Sequence, residues 1–353
     1  MRIETTAVRA ARGESAITSA LLQIGSLETG IPHVPQIDMS TTYGFHSSSS
    51  VANSMDVLLE GGHDAPNPVY ARLHNPTVAR FEDALAQLEG AEAAVAFASG
   101  MAATTALLIA ASLEKSGHRK HVVAVRPVYG GSDHLMSTGM LGTEVTWVDS
   151  ESVGEAIRSD TGLVFIETPA NPTLEVIDIA AVARQIKSAG NRMGASVPLA
   201  VDSTFATPIL QNPIALGADL VLHSATKFLG GHGDVMGGVI ACSKDYAVRL
   251  RQVRMATGGL LHPLGGYLLH RGLQTLPVRV LEQQKNAIEL SERLELHSSV
   301  RSVYFPKYDR GGDAHVAGQM RGPGSVLSFC VHSGIPAADV VERLGLITPA
   351  VSL

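Results

Sequence analysis

The chain has 353 residues, 27 of them Lys or Arg and 33 Asp or Glu, for a formal charge of −6. With no basic block, nucleic acid and an anionic membrane are disfavoured as main partners, and the two cysteines, Cys242 and Cys330, exclude a disulfide framework and lack close-spaced metal-ligating companions. The length exceeds what a single core usually fills, which implies one large domain and one smaller domain.

Met1-Arg-Ile-Glu-Thr-Thr6 has no apolar stretch of the secretory kind, so the cytoplasm is the expected compartment. Residues 1–65 show little periodicity and read as an N-terminal arm, with a flexible polar run from Ser47 to Ser50 and a turn-rich loop at Gly61-Gly-His-Asp-Ala-Pro. Such an arm either wraps a partner subunit or stays on the surface. The large domain, 66–258, opens with a helix after Asn75-Pro-Thr77, where Thr77 is the candidate cap and Val78, Phe81, Leu85 and Leu88 share a face. The longest apolar region, 91–113, is interrupted by Glu92, Ser99, Gly100, Thr104, Thr105 and Ser112. It reads as a short strand at 95–97 and a buried helix from Gly100, not as a membrane span.

Short apolar strands follow at 121–125, 144–148, 163–166, 198–201, 219–223 and 238–241, with a helix over 179–189 that turns Ala180, Val182, Ala183 and Ile186 to the sheet. This alternation implies a mostly parallel sheet covered by helices on both faces, with chemistry beyond the C-terminal strand ends. A break is expected around Gly258-Gly259, His262-Pro263 and Gly265-Gly266. The rest, 259–353, reads as a small α+β domain: a helix over 278–296 with Val280, Ala287, Leu290 and Leu294 apolar, a β-like segment at Phe329 and Val331, and a helix over 337–344. It ends abruptly on the apolar run Ile347 to Leu353 and is expected to be incomplete.

Chemistry concentrates in His223-Ser-Ala-Thr-Lys-Phe-Leu-Gly-Gly-His-Gly-Asp234. A primary amine, Lys227, beside two hydroxyls and a glycine-rich turn is what an enzyme needs to hold a phosphorylated aldehyde cofactor as an imine. Ser224 and Thr226 either donate to phosphate oxygens or cap local backbone. Asp202, after a buried strand, either pairs with a protonated pyridine nitrogen or caps a turn. Ser99-Gly100-Met101 opens a helix whose first N–H groups suit an anion, although the same dipeptide opens ordinary helices. Tyr129 either stacks on a flat cofactor or packs. Tyr70 and Arg72 lie in the irregular arm region, where the guanidinium suits phosphate or a surface ion pair. No nucleotide-binding glycine motif occurs, and His223, His232 and Asp234 have no recognised metal-ligand spacing.

These segments resemble the Cys/Met-metabolism family of pyridoxal-phosphate enzymes. The matching pieces run in one order through nearly the whole chain: Tyr70-Ala-Arg-Leu-His-Asn-Pro-Thr77, Ser99-Gly-Met101, Tyr129-Gly-Gly131, Glu167-Thr-Pro-Ala-Asn-Pro-Thr173, Val201-Asp-Ser-Thr-Phe-Ala-Thr-Pro208, Leu216-Gly-Ala-Asp219, the Lys227 segment, and Arg271-Gly-Leu-Gln-Thr-Leu276. The resemblance implies an α/β protein of fold type I, aspartate-aminotransferase-like, with pyridoxal 5′-phosphate as cofactor, an amino-acid substrate, and a homotetramer built as a dimer of dimers. It also implies roles. Lys227 carries the cofactor, Gly100, Met101, Ser224 and Thr226 cradle its phosphate, and Tyr70 and Arg72 reach the phosphate of the neighbouring subunit. Tyr129 stacks and protonates the leaving group, Asp202 holds the pyridine nitrogen, Asn171 lies near the phenolic oxygen, and Thr204 lies near the ring. Ser352, at the start of a Ser-Leu segment, binds the substrate carboxylate. No arginine in the chain can be assigned as its partner, and Ser203 replaces the family's usual Asn.

Within the family, Gly131 stands where methionine γ-lyases often have cysteine, while Val351 and His134 replace polar residues of cystathionine-handling members. The latter two favour a less polar leaving group. The expected reaction is γ-elimination from a sulfur amino acid, with methionine ahead of cystathionine. The alternative is γ-replacement on an O-acylhomoserine, as in cystathionine γ-synthase or a homoserine sulfhydrylase. Intact Lys227, Asp202 and Tyr129 speak against a non-catalytic scaffold.

Overall fold

A computed structural model describes residues 3–9, 33–45, 47–114, 117–194, 196–306 and 318–352. Its strands in chain order are β1 (Ala93–Phe97), β2 (Leu113–Glu114), β3 (Gly117–His118), β4 (His121–Val125), β5 (Glu144–Val148) and β6 (Thr161–Glu167). They continue with β7 (Leu199–Asp202), β8 (Leu220–Ser224), β9 (Gly238–Cys242), β10 (Val300–Tyr304) and β11 (Ser328–Val331). Seven of them form one sheet in the order β1-β9-β8-β7-β6-β4-β5. The run from β5 to β8 pairs in parallel, and β9 is antiparallel to both of its neighbours. Every residue of β4, β6 and β9 is buried, as strands covered on both faces must be.

Alternation divides the core. Ala94 and Ala96 of β1 face the layer of Phe81, Leu85, Leu273 and Leu276, while Val95 and Phe97 face the layer of Leu107, Phe165 and Leu250. Beneath β4, β6 and β7, Val123, Ile166 and Leu199 pack on Ile179 and Val182 of the Ile179–Met193 helix. Ala183 of that helix, expected on the sheet, packs half-buried against this layer, and with the half-buried Ala180 it also lines a groove of about 750 Å³. That groove lies at Leu199 and Asp219, where β7 and β8 begin, so it is at the wrong end of the strands for the chemistry read from the sequence.

Local signals are corrected in four places. The serines at 47–50 are not a loose run. The Ser47 hydroxyl accepts from Ser50 N–H at 3.2 Å and caps a Ser48–Leu59 helix that buries Ser54 and Leu58. Asn75, not Thr77, caps the Pro76–Glu89 helix, its Oδ1 accepting from Thr77 and Val78 N–H at 3.0 and 3.2 Å. The Thr77 hydroxyl accepts from Asp38 N–H at 2.8 Å and ties down the arm.

The third correction is the long helix. The break is confined to residues between the Lys244–Thr257 helix, closed by Gly258 at φ 73°, and Pro263, where a helix of 33 residues begins and runs to Glu295. Proline is tolerated in a first turn, and Gly266 brings the helix within 3.0 Å of the Val78 backbone, measured from where a Cβ would stand. Val280 and Ala287 of that helix are buried as expected, whereas Leu290 is exposed and Leu294 half buried. The fourth is β10, unexpected from sequence, which pairs antiparallel with β11. The last helix, Ala337–Glu342, buries none of its residues. Among the described residues no helix is long and apolar enough to cross a membrane.

One buried ion pair fastens the sheet edge. Glu82 Oε1 accepts from Arg254 Nη1 at 2.6 Å and from Ala96 N–H at 2.7 Å, joining the Pro76–Glu89 helix, β1 and the Lys244–Thr257 helix. Burial opposes ionisation of Glu82, but Arg254, Arg251 and that N–H outweigh it and hold the carboxyl down at about 2. Replacing Glu82 by Gln leaves the buried Arg254 without its counter-charge, so unfolding in denaturant should show a loss of about 3–5 kcal/mol. The double variant Glu82→Gln/Arg254→Met should recover part of it; equal losses in both would remove the pair from the account of stability.

Candidate active site

Parallel register sets one rim. β6 ends at Glu167 and β7 at Asp202, and these two residues are register partners. Beyond β8, which ends at Ser224, the chain turns through Lys227. Lys227 N–H donates to the Ser224 carbonyl at 3.2 Å, and Gly231 N–H donates to the Lys227 carbonyl at 2.8 Å. Gly231, at φ 73°, closes that turn in the left-handed region. The Lys227 amine donates to the Ser352 hydroxyl. Burial lowers the amine's pKa, which enlarges its uncharged, nucleophilic fraction.

Beside the turn lies a helix N-terminus. Ser99 Oγ accepts from Ala102 N–H at 3.1 Å, so the Gly100–Ser112 helix starts with the N–H groups of Gly100 and Met101 unused by the helix. A Cβ on Gly100 would stand 2.9 Å from Ser224 Cβ and 3.0 Å from its Oγ. Only glycine allows these two donor-bearing segments to touch. The result is a concave set of backbone N–H groups and a hydroxyl, the donor chemistry a phosphate requires. The Thr226 hydroxyl donates to the Gly237 carbonyl at 3.2 Å and accepts from Gly237 N–H at 3.0 Å, local backbone bonds of the kind read from the sequence as one of its two alternatives.

Thr204 connects the two halves of the site. Its hydroxyl donates to Asp202 Oδ1 at 2.6 Å and accepts from Ser224 N–H at 2.8 Å, and Thr204 N–H reaches the same carboxylate oxygen at 3.0 Å. Asp202 is buried, and that burial raises its pKa despite these bonds and despite nearby His223. Such a carboxylate is short of positive charge on its open side, which a protonated ring nitrogen would supply. The residues present therefore fit pyridoxal 5′-phosphate: an amine for the aldehyde, an anion cradle, and a carboxylate for the ring.

Tyr129 holds the N-cap position of the Gly130–Ser137 helix and is 50% exposed. Its ring lies over Gly131, where a Cβ would be 2.6 Å from the ring and 3.0 Å from Met101 Sδ. Glu167 fixes the backbone of Tyr129, a role no reading of the sequence assigned. Its Oε2 accepts from Tyr129 N–H at 2.6 Å and its Oε1 from Asn171 N–H at 2.8 Å. Burial, then the charge of Asp202, pushes Glu167 up to about 8. The available signal was a glutamate closing an otherwise apolar strand, in the place Asp202 holds on the next.

Tyr70 and Arg72 are not brought to this cluster by any described contact within the chain. Arg72 Nη1 donates to the Met255 carbonyl at 2.9 Å, with its guanidinium 5.4 Å from the Tyr70 ring centre. His223 is buried with Nε2 2.6 Å from Glu89 Oε1. Among the described residues no group of three or more His, Cys, Asp or Glu side chains can hold a metal ion.

Comparison with known proteins agrees with this chemistry. A family model described as Cys/Met metabolism PLP-dependent enzyme matches residues 21–353. L-methionine gamma-lyase of Brevibacterium aurantiacum is 52% identical over 334 residues, 93% of this chain and 79% of its own. Cystathionine gamma-lyase of Bacillus subtilis is 42% identical over 291 residues, 80% of this chain and 74% of its own. Among solved structures, cystathionine gamma-lyase from Lactobacillus plantarum complexed with L-serine superposes with a TM-score of 0.84 at 32% identity, covering 100% of this chain and 84% of that one.

A pH dependence follows from Glu167. An ordinary glutamate titrates near 4.5 and the folded one near about 8, so the folded state holds the extra proton in between and stability falls as pH rises through that window. Asp202 acts with the same sign. In the cofactor-free protein, denaturant midpoints should decline from pH about 4.5 to about 8, and less steeply in Glu167→Gln. Parallel curves for the two proteins would show that Glu167 ionises normally.

Proposed function

Because the chain belongs to the Cys/Met-metabolism family of pyridoxal-phosphate-dependent enzymes, we propose that it is a γ-lyase cleaving the Cγ–S bond of a sulfur amino acid, methionine ahead of cystathionine. The observation that carries this reading is the Lys227 amine, its pKa lowered by burial, in a turn that adjoins an anion cradle and the Asp202 carboxylate. The relatives compared above carry γ-lyase names, which supports elimination over replacement. For methionine, one substrate and one water give 2-oxobutanoate, ammonia and methanethiol. The Cγ–S bond breaks, the sulfur leaves with a proton, and the C–N bond is hydrolysed.

Pyridoxal 5′-phosphate, when bound, supplies an aldehyde carbon for amines and an electron-poor ring that takes up the charge left when Cα loses its proton. The protein's residues have separate tasks. With the cofactor bound, Lys227 would hold it at rest, and its Nζ, when free, would be the base that takes the Cα proton. Asp202 would keep the ring nitrogen protonated, and Thr204 holds Asp202 in place for that task. Ser224, Thr226 and the Gly100 and Met101 N–H groups would hold the cofactor's phosphate, and Asn171 would lie by its phenolic oxygen. Tyr129 gives its phenolic proton to the departing sulfur, and Ser352 takes the substrate carboxylate.

The protein works as a cytoplasmic homotetramer, a dimer of dimers in which Tyr70 and Arg72 complete the neighbour's phosphate site. Residues 1–65 form its arm, 66–258 the cofactor domain and 259–353 the small domain. Purified protein given methionine should release 2-oxobutanoate and methanethiol in equal amounts. Tyr129→Phe should lower kcat by roughly 10²–10⁴-fold, and Lys227→Ala should abolish turnover. A thioether made only when a thiol and an O-acylhomoserine are both present would assign the protein to γ-replacement instead.

A further inference from the structure

The Arg271-Gly-Leu-Gln-Thr-Leu276 motif supplies no residue to the site, yet the long helix presses it onto the turn that carries Lys227. Gly272 is buried there, and a Cβ on it would collide with the Leu229 carbonyl and stand 2.7 Å from that of Gly230. Two helical turns later comes Arg279. Its Nη1 donates to the Phe228 carbonyl at 2.9 Å, its Nη2 to the Gly272 carbonyl at 2.8 Å, and its Nε to Thr275 Oγ1 at 3.1 Å. The guanidinium also fills the space that a side chain on Gly231 would need. Among the described residues no carboxylate pairs with it, so a half-buried cation is satisfied by two carbonyls of this turn and helix and by the Thr275 hydroxyl.

Resting on the reading of Lys227 as the cofactor lysine, we propose that Arg279 is a positioning residue: by holding the Phe228 carbonyl it fixes the Phe228–Leu229 peptide, the far side of the residue next to Lys227, and so the direction in which the Lys227 amine leaves the turn. Gly272 and Thr275 are then the parts of the motif that let the guanidinium reach. Simple attachment of helix to turn would give Arg279 a stake in stability only. Positioning gives it a stake in the reactivity of a neighbouring side chain that it does not touch.

The test uses the full chain with Arg279→Gln, Arg279→Lys, Thr275→Val and Lys227→Ala. Cofactor-free protein is mixed with pyridoxal 5′-phosphate, the covalent adduct is trapped with borohydride over time, and the modified peptide is identified by mass spectrometry. Turnover of methionine and the thermal midpoint are measured alongside. Arg279→Gln should slow covalent uptake and kcat by up to about 10²-fold, as a misplaced reacting group does, with KM little changed. Added guanidinium ion should restore part of the loss, and Arg279→Lys should fall between Gln and the parent. A lowered midpoint with unchanged uptake and kcat overturns the proposal and leaves helix packing. Should Arg279→Gln not fold, Arg279→Lys and Thr275→Val decide it, because both must slow uptake. If Lys227→Ala is still modified as the parent is, the reading of Lys227 is wrong whatever Arg279 does.

Discussion

Parallel strands in register end together, and that one constraint generates the site. Because β6, β7 and β8 lie side by side and run the same way, Glu167, Asp202 and Ser224 are delivered to one rim without any loop having to find another. The Thr204 hydroxyl then locks the rim by donating to one strand's carboxylate and accepting from the next strand's backbone. Such bonds cost little mobility at the moment of reaction, since the rigid sheet has already ordered the groups that make them.

The electrostatics of the rim run against ordinary burial. Two carboxylates on neighbouring strands are both raised by desolvation, and Glu167 is raised further by the charge of Asp202. Yet both oxygens of Glu167 face N–H donors, an arrangement that suits the anion. Positive charge beside Asp202 would resolve the conflict. A cationic ring held there would neutralise one carboxylate and let the other accept both backbone bonds at full strength, coupling the seat of the ring to the backbone of Tyr129.

The sheet and the reacting groups were legible because each depends on a local pattern. Apolar runs closed by polar residues mark the strands and place Asp202 and Lys227 at their ends, and the Ser99-Gly100 pair marks a helix start. Direction was not legible: Gly238–Cys242 is as apolar as its neighbours, and nothing in its composition says that it runs the other way. The long helix was hidden because Gly265, Gly266 and Gly272 weaken helix locally, while the value of Gly266 and Gly272 lies in contacts with Val78 and with the Lys227 turn, both remote in sequence. Glu167 and Arg279 escaped for the same reason, since each has a key partner in a remote backbone group, Tyr129 N–H for one and the Phe228 carbonyl for the other. At Ser47 and Asn75 the right residue types were present, but serines that cap a helix look like those of a loose loop, and two cap-forming side chains stood within two residues of each other.

The contact between Gly100 and Ser224 has a further meaning for how the protein matures. One wall of the proposed phosphate seat precedes β4 and the other is the end of β8, so a nascent N-terminal half would lack half of the seat. A seat built from both walls would bind the coenzyme only after the intervening strands had been assembled, and such binding would draw the population toward the finished architecture by mass action.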